Sequence, residues 1–202
     1  MKSVIFAVLF STLASACTKP LLVDSYANVT TTGTNAVGAY SSDDGTCGSI
    51  ASTPGSEVLT LNPGSSKCYY YTNFPNSKPE DAVGGKRSNL SFTLVPPTPN
   101  WSFKINIKSW NGTNLVDSYF TPTGTQGGNQ TVSIPLTSFN GPDVPNLRNI
   151  RSFVFESFSS LSQEWQIGKL LLLCQPAMAT TTTTLKTTTT QTMTSTKSIA
   201  TN

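Results

Sequence analysis

Histidine is absent from the 202 residues, and charged side chains make up only 11% of them. Without an imidazole, Ser-His-Asp and Cys-His nucleophile arrangements and His-bearing metal centres are excluded. No CxxC spacing occurs, which leaves zinc a weak reading of the four cysteines. The thirteen Lys and Arg are scattered, only Lys86 and Arg87 being adjacent, and form no run or stripe, and a net charge of +3 gives nucleic acid or an anionic membrane little to hold. No segment carries a 3.6-residue apolar period with caps, so little helix is expected. The apolar run at 4–13 is too short for a bilayer, which takes ~20 helical residues to cross.

That run does have a use. Lys2 precedes it and Ala14-Ser15-Ala16 follows it in the small-x-small pattern of signal peptidase, so a signal peptide over 1–16 and a mature chain from Cys17 are expected. A competing reading makes Ala14-Ser15-Ala16-Cys17 a lipobox with Cys17 acylated, although that motif usually has Leu where Ala14 stands. Five Asn-x-Ser/Thr triplets, at Asn28, Asn89, Asn100, Asn111 and Asn129, are N-glycan acceptors in a secretory compartment. About three would arise by chance in so Ser- and Thr-rich a chain, so the leader carries most of that inference. The stretch 177–202 is dominated by threonine and has almost no apolar mass. It cannot offset its ordering entropy, so a disordered, O-glycosylated spacer is expected there. Its last residues, Lys197-Ser198-Ile199-Ala200-Thr201-Asn202, lack the hydrophobic end of a GPI signal. A secreted chain, extracellular or wall-associated and without a membrane span, is the resulting expectation.

Between leader and tail, residues 17–176 suit one domain with a real core. Four cysteines in an oxidising compartment imply two disulfides, for which three connectivities exist. Cys47 with Cys68 and Cys17 with Cys174 is the preferred set, because the first pair brackets one short strand and the second would staple the first strand to the last. The apolar pattern is period two: Phe92 and Leu94, then Phe103, Ile105 and Ile107, then Val132 and Ile134 alternate with polar neighbours. Further strands are expected over 21–25, 57–61, 67–72, 115–120, 150–156 and 165–174, separated by Gly, Pro, Asn and Ser loops. Pro96-Pro97-Thr98-Pro99 marks a sharp break between two of them. Roughly nine antiparallel strands without crossover helices predict an all-β, two-sheet β-sandwich of jelly-roll type.

Several segments carry a resemblance. Leu22-Val23-Asp24-Ser25-Tyr26, Asn35-Ala36-Val37-Gly38, Ser42-Asp43-Asp44-Gly45-Thr46 and Trp165-Gln166-Ile167-Gly168-Lys169, running into Leu173-Cys174, resemble a family of secreted fungal galactose-binding-like jelly-roll domains. Tyr69-Tyr70-Tyr71 and Val132-Ser133-Ile134-Pro135-Leu136 extend the likeness over most of 21–174. Ser25 departs from it, standing where related domains often carry a second acidic residue. The resemblance implies a carbohydrate-binding-module-like domain of the kind attached to polysaccharide-active enzymes.

A sugar site needs exposed aromatic platforms, since the C–H face of a sugar stacks on a ring while its hydroxyls take polar partners. Trp110, Tyr69, Tyr71 and Trp101 are the candidates. Tyr69 and Tyr71 share a face, where cross-strand packing is the alternative use; Trp101 shares its face with Phe103, Ile105 and Ile107, a core pattern; Trp110 sits in the turn Ser109-Trp110-Asn111-Gly112. Asp24, Asn35, Asp43 and Asp44 could offer oxygens to a structural calcium, with a plain Asp-Asp-Gly turn as the alternative. Glu156 is the acid singled out for glycoside hydrolysis, which needs a second carboxyl within reach. No catalytic residue and no cofactor beyond that calcium are expected. The expected protein is a monomeric, non-catalytic binder of cell-wall or environmental polysaccharide. The alternatives are an adhesive wall glycoprotein without a sugar site and a carboxylate-dependent polysaccharide-active enzyme. Asn100 and Asn111 flank Trp101 and Trp110, so glycans there would crowd two of the candidate platforms.

Overall fold

A computed structural model describes residues 17–52 and 55–176; the expected leader over 1–16 and tail over 177–202 lie outside the described residues. In chain order the strands are β1 Leu21–Asp24, β2 Ser41–Ser42, β3 Ser49–Ser52, β4 Val58–Asn62, β5 Tyr69–Asn73, β6 Arg87–Val95 and β7 Trp101–Ser102. They continue with β8 Lys104–Trp110, β9 Leu115–Phe120, β10 Thr123–Gly124, β11 Gln130–Pro135, β12 Ile150–Glu156, β13 Trp165–Gly168 and β14 Leu170–Cys174. The only helical element among the described residues is a 3-10 turn at Leu136–Ser138.

The strands form an antiparallel β-sandwich. Its larger sheet has seven strands, in the order β1, β14, β6, β13, β4, β3, with β11 added along β6. Leu94 pairs with Gln130 on one edge of β6 and with Ile167 on the other, so β13 and β14 run end to end along a single side of β6. The smaller sheet has five strands in the order β2, β5, β12, β8, β9, and β7 pairs with β10 in a short separate ribbon.

Period-two patterning turns each strand's apolar residues inward. Leu90, Phe92, Leu94, Leu59, Leu61, Trp165 and Ile167 of the larger sheet face Tyr70, Ile105, Ile107, Phe153 and Phe155 of the smaller one, all buried in one core. Aromatic rings join the layers: Phe92 meets Phe155 edge-on at 5.6 Å, and Phe103 stacks on Phe158 at 5.6 Å and meets Trp165 edge-on at 5.7 Å. Such pairs contribute ~0.5–1.5 kcal/mol each beyond burial.

The expected strands are present, with three differences. Four two- to four-residue strands (β2, β3, β7, β10) are too short to carry a readable period. The single strand expected over 165–174 breaks at Lys169, beside Gly168, which lies so close to the Thr93 side chain that no Cβ would fit. Strands β4 and β5 each run one residue beyond the expected ends.

Cys47 bonds to Cys68 and Cys17 to Cys174, with Cα separations of 4.4 and 5.4 Å. The second bond ties the start of the domain to β14. It also occupies the Cys17 sulfur, which therefore cannot carry the thioether of a lipoprotein, and this overturns the lipobox reading. Among the described residues no helix is long and apolar enough to cross a membrane.

Candidate functional site

Among the described residues, the outward face of the five-stranded sheet gathers exposed aromatic rings, with Trp110 and Tyr119 on its strands and Tyr40 at its edge. On β5, Tyr70 and Thr72 turn into the core, which leaves Tyr69, Tyr71 and Asn73 facing out. Beside them β12 presents Ser152, Val154 and Glu156; β8 presents Lys104, Asn106, Lys108 and Trp110; β9 presents Leu115, Asp117 and Tyr119. A hollow of about 370 Å³ is lined by Asp44, Tyr69, Tyr71, Asn73, Lys108, Ser152, Val154 and Glu156. It shares Asn73, Lys108 and Ser152 with a second of about 670 Å³ whose walls include Tyr40, Trp110, Leu115 and Arg151. The two make one groove across the sheet, in the size range of ligand sites.

One wall of the groove is aromatic. Tyr40, Tyr71 and Tyr69 form a row with ring centroids 6.1 and 6.2 Å apart. Tyr40 is 53% exposed and enters the row from the residue before β2. Its ring lies against Gly33, where an added Cβ would come within 2.6 Å of it, so the glycine is required there both by this approach and by a φ of +62°. Trp110 stands at the far end, 37% exposed, at the last position of β8 opposite Leu115.

The floor is polar and internally neutralised. Glu156 Oε1 accepts from Asn106 Nδ2 at 2.7 Å and pairs with Lys104 Nζ at 2.6 Å. Lys108 pairs with Asp117 at 2.8 Å. Lys104 also sits 5.4 Å from the Tyr119 ring centre. Arg151 donates to the Asn76 carbonyl at 2.9 Å. The lining charges are Lys108 and Arg151 against Asp44 and Glu156, and the two outer partners, Lys104 and Asp117, cancel as well.

The candidates named from the sequence divide on this face. Tyr69, Tyr71 and Trp110 line the groove. Trp101 does not: it is 3% exposed, stacks on Phe103 at 5.9 Å, and donates its indole N–H to the Gln126 carbonyl at 3.0 Å. Its place in the expectation is corrected to a core residue, because its face of the β7 to β8 segment is the one that closes the sandwich. Tyr40 and Tyr119 are additions that the sequence does not flag, since a lone tyrosine beside a two-residue strand and one in an ordinary amphipathic strand carry no signal of their own.

The calcium set is also corrected. Asp24 is buried, its Oδ1 accepting the Tyr26 N–H at 2.8 Å and its Oδ2 the Tyr70 hydroxyl at 3.0 Å. Burial pushes its carboxyl above the usual carboxylate range, partly offset by those donors. Asn35 donates to Thr72 Oγ1 and the Asn73 carbonyl, each at 2.7 Å, and its oxygen accepts the Val37 and Ala39 N–H groups. Asp43 Oδ2 accepts the Cys47 N–H at 3.2 Å, and Asp44 accepts the hydroxyls of Tyr69 and Tyr71. Each oxygen set thus serves its own local partners, and among the described residues no group of three or more Asp, Glu, Cys or His side chains could hold a metal ion.

Of the five glycan-acceptor triplets, Asn28, Asn100, Asn111 and Asn129 are exposed in turns or loops. Asn89 lies on β6, on the outward face of the larger sheet, where its Nδ2 donates to Ser133 Oγ at 3.0 Å. Asn111 alone adjoins the groove, next to Trp110, and its Oδ1 accepts the N–H groups of Thr113 and Asn114 at 2.9 and 2.8 Å. Asn100 adjoins a buried ring instead.

No protein-family description and no curated protein matches the chain. Among solved structures it is similar to PfGH50B, at 19% identity over 64% of this chain and 22% of that longer one, with a TM-score of 0.50. It is also similar to a family 11 carbohydrate-binding module from Clostridium thermocellum in complex with a beta-1,3-1,4-mixed-linked tetrasaccharide, at 18% identity over 77% of this chain and 96% of the module, with a TM-score of 0.49. A family 30 carbohydrate-binding module is similar at 13% identity over 69% and 84% of the two chains, with a TM-score of 0.47. At these identities the likeness is one of fold.

Proposed function

We propose that this protein is a secreted, non-catalytic glycoprotein that binds a cell-wall or environmental polysaccharide along the outward face of its five-stranded sheet. The observation that carries the reading is the row of Tyr40, Tyr71 and Tyr69 beside a floor of Asn73, Ser152, Asn106 and Glu156. Rings offer stacking surface to the C–H faces of successive sugars, and the amides, hydroxyl and carboxylate beside them suit their hydroxyls. The charge balance of the lining favours a neutral polymer over an anionic one.

Two disulfides fit an oxidising compartment. The resemblance to secreted fungal galactose-binding-like domains directs the search toward wall polymers. The state of Glu156 supports a binding rather than a hydrolytic role, since its Oε1 is already engaged by Lys104 and Asn106.

Retention of the secreted full chain on insoluble chitin, cellulose and β-glucan tests the proposal. Binding to at least one polymer without turnover is the expected result. Failure on all three, together with incorporation into walls, would instead identify an adhesive glycoprotein without a sugar site. Turnover lost in Glu156→Gln would identify an enzyme.

A further inference from the structure

Resting on that reading of the groove, we propose that Asp44 is a positioning residue: its carboxylate holds Tyr69 and Tyr71 together as one preformed stacking platform. The geometry is bidentate. The Tyr69 hydroxyl donates to Oδ2 at 3.1 Å and the Tyr71 hydroxyl to Oδ1 at 3.0 Å, and the two rings lie 6.2 Å apart with 33° between their planes. One acid therefore fixes the free ends of two side chains whose other ends are fixed by β5.

The turn that carries Asp44 is itself anchored to that strand. Asp44 has a φ of +50° and Gly45 of +70°, so the chain reverses in the left-handed region. Thr46 Oγ1 accepts the Tyr69 N–H at 3.2 Å, and the disulfide from Cys47 to Cys68 closes the turn onto the residue before Tyr69. Asp44 takes part in none of the ion pairs among the described residues. Its hydrogen bonds to the two phenols are charge-assisted, the stronger kind. They raise the Tyr69 phenol above its ordinary range; for Tyr71, burial is the larger cause of the rise and the bond to Asp44 the second.

Holding the rings before the ligand arrives removes an ordering cost from binding. Loss of the clamp should therefore weaken affinity without removing any stacking surface. Asp44→Gly and Asp44→Asn both tolerate a left-handed φ, so the turn survives in each. The glycine variant should bind a retaining polysaccharide roughly tenfold more weakly, with the asparagine variant between it and wild type, as expected from freeing two side chains.

The decisive background is Tyr69→Phe with Tyr71→Phe, which keeps both rings and removes both hydroxyls. There Asp44→Gly should cause no further loss. A loss that persists undiminished in that background would overturn the proposal and make Asp44 a direct sugar contact, and wild-type affinity in Asp44→Gly would overturn it outright. Titration of ring-labelled tyrosine by NMR supplies a readout that needs no ligand. Removing Asp44 should lower the Tyr69 titration midpoint, and an unchanged midpoint would contradict the clamp. Should the full chain bind none of the polymers, the functional reading fails while this titration still decides the clamp.

Discussion

The two sheets are built alike on the inside and differently on the outside. Inward, both present alternating Leu, Ile and aromatic side chains to one core. Outward, the larger sheet shows Asn89, Ser91, Thr93, Thr131, Ser133, Gln166 and Thr60 together with the aliphatic Leu22, Val58, Val95, Leu171 and Leu173, and none of its strands turns an aromatic ring to solvent. The smaller sheet turns out Tyr69, Tyr71, Trp110 and Tyr119, with Tyr40 at its edge. Rings left in water where small polar residues would serve mark a surface kept for contact. The acceptor triplets reinforce the contrast: Asn89 sits on the plain face and only Asn111 borders the aromatic one.

The largest effect should come from attacking what both faces share. Phe103→Ala removes a ring packed on Trp101, Phe155, Phe158 and Trp165, and should cost ~3–5 kcal/mol in a denaturant unfolding experiment, with both faces lost together. Deleting either disulfide should cost about 3–5 kcal/mol in the chain-entropy account. The two deletions should differ in binding. Removing Cys47 and Cys68 frees the turn of Asp44 and weakens polysaccharide retention, whereas removing Cys17 and Cys174 acts at β1 and β14 and leaves the affinity of the folded fraction unchanged.

Smaller effects should separate the two faces from each other. Tyr69→Ala with Tyr71→Ala should lose ~2 kcal/mol or more of affinity, about thirtyfold, while Thr93→Ala on the other face should leave binding unchanged in the same retention assay. Trp110→Ala should lose ~1 kcal/mol, measured in an Asn111→Gln background so that no glycan stands beside the ring. Where mass spectrometry finds Asn111 occupied, the Trp110 effect should shrink. Smallest of all, raising salt from low to high ionic strength should leave affinity nearly flat, because the charges lining the groove cancel.

Much of this is readable from the sequence. The period-two runs, such as Phe103, Ile105 and Ile107, identify strands and their buried face because burial leaves an alternating trace. The same alternation puts Tyr69 and Tyr71 on one face and groups Trp101 with the core. What stays out of reach depends on register between distant segments. Tyr40 joins the row only because β2 pairs with β5, placing Ser42 opposite Tyr71. The turn at Asp43-Asp44-Gly45 is legible from its residue types, but its role is set by phenols 25 and 27 positions away. The oxygen-rich residues expected to converge on a cation are satisfied instead by hydroxyls and backbone N–H groups, partners that leave no mark in spacing.

If the tyrosine face is the binding face, NMR mapping of the full chain during titration with a soluble oligosaccharide of the retaining polymer should show it directly. Signals from Tyr40, Tyr69, Tyr71, Asn73 and Ser152 should shift together, while those of Asn89, Thr93 and Ser133 stay in place. Shifts on the Asn89 face, or none on the tyrosine row at saturating ligand, would contradict it.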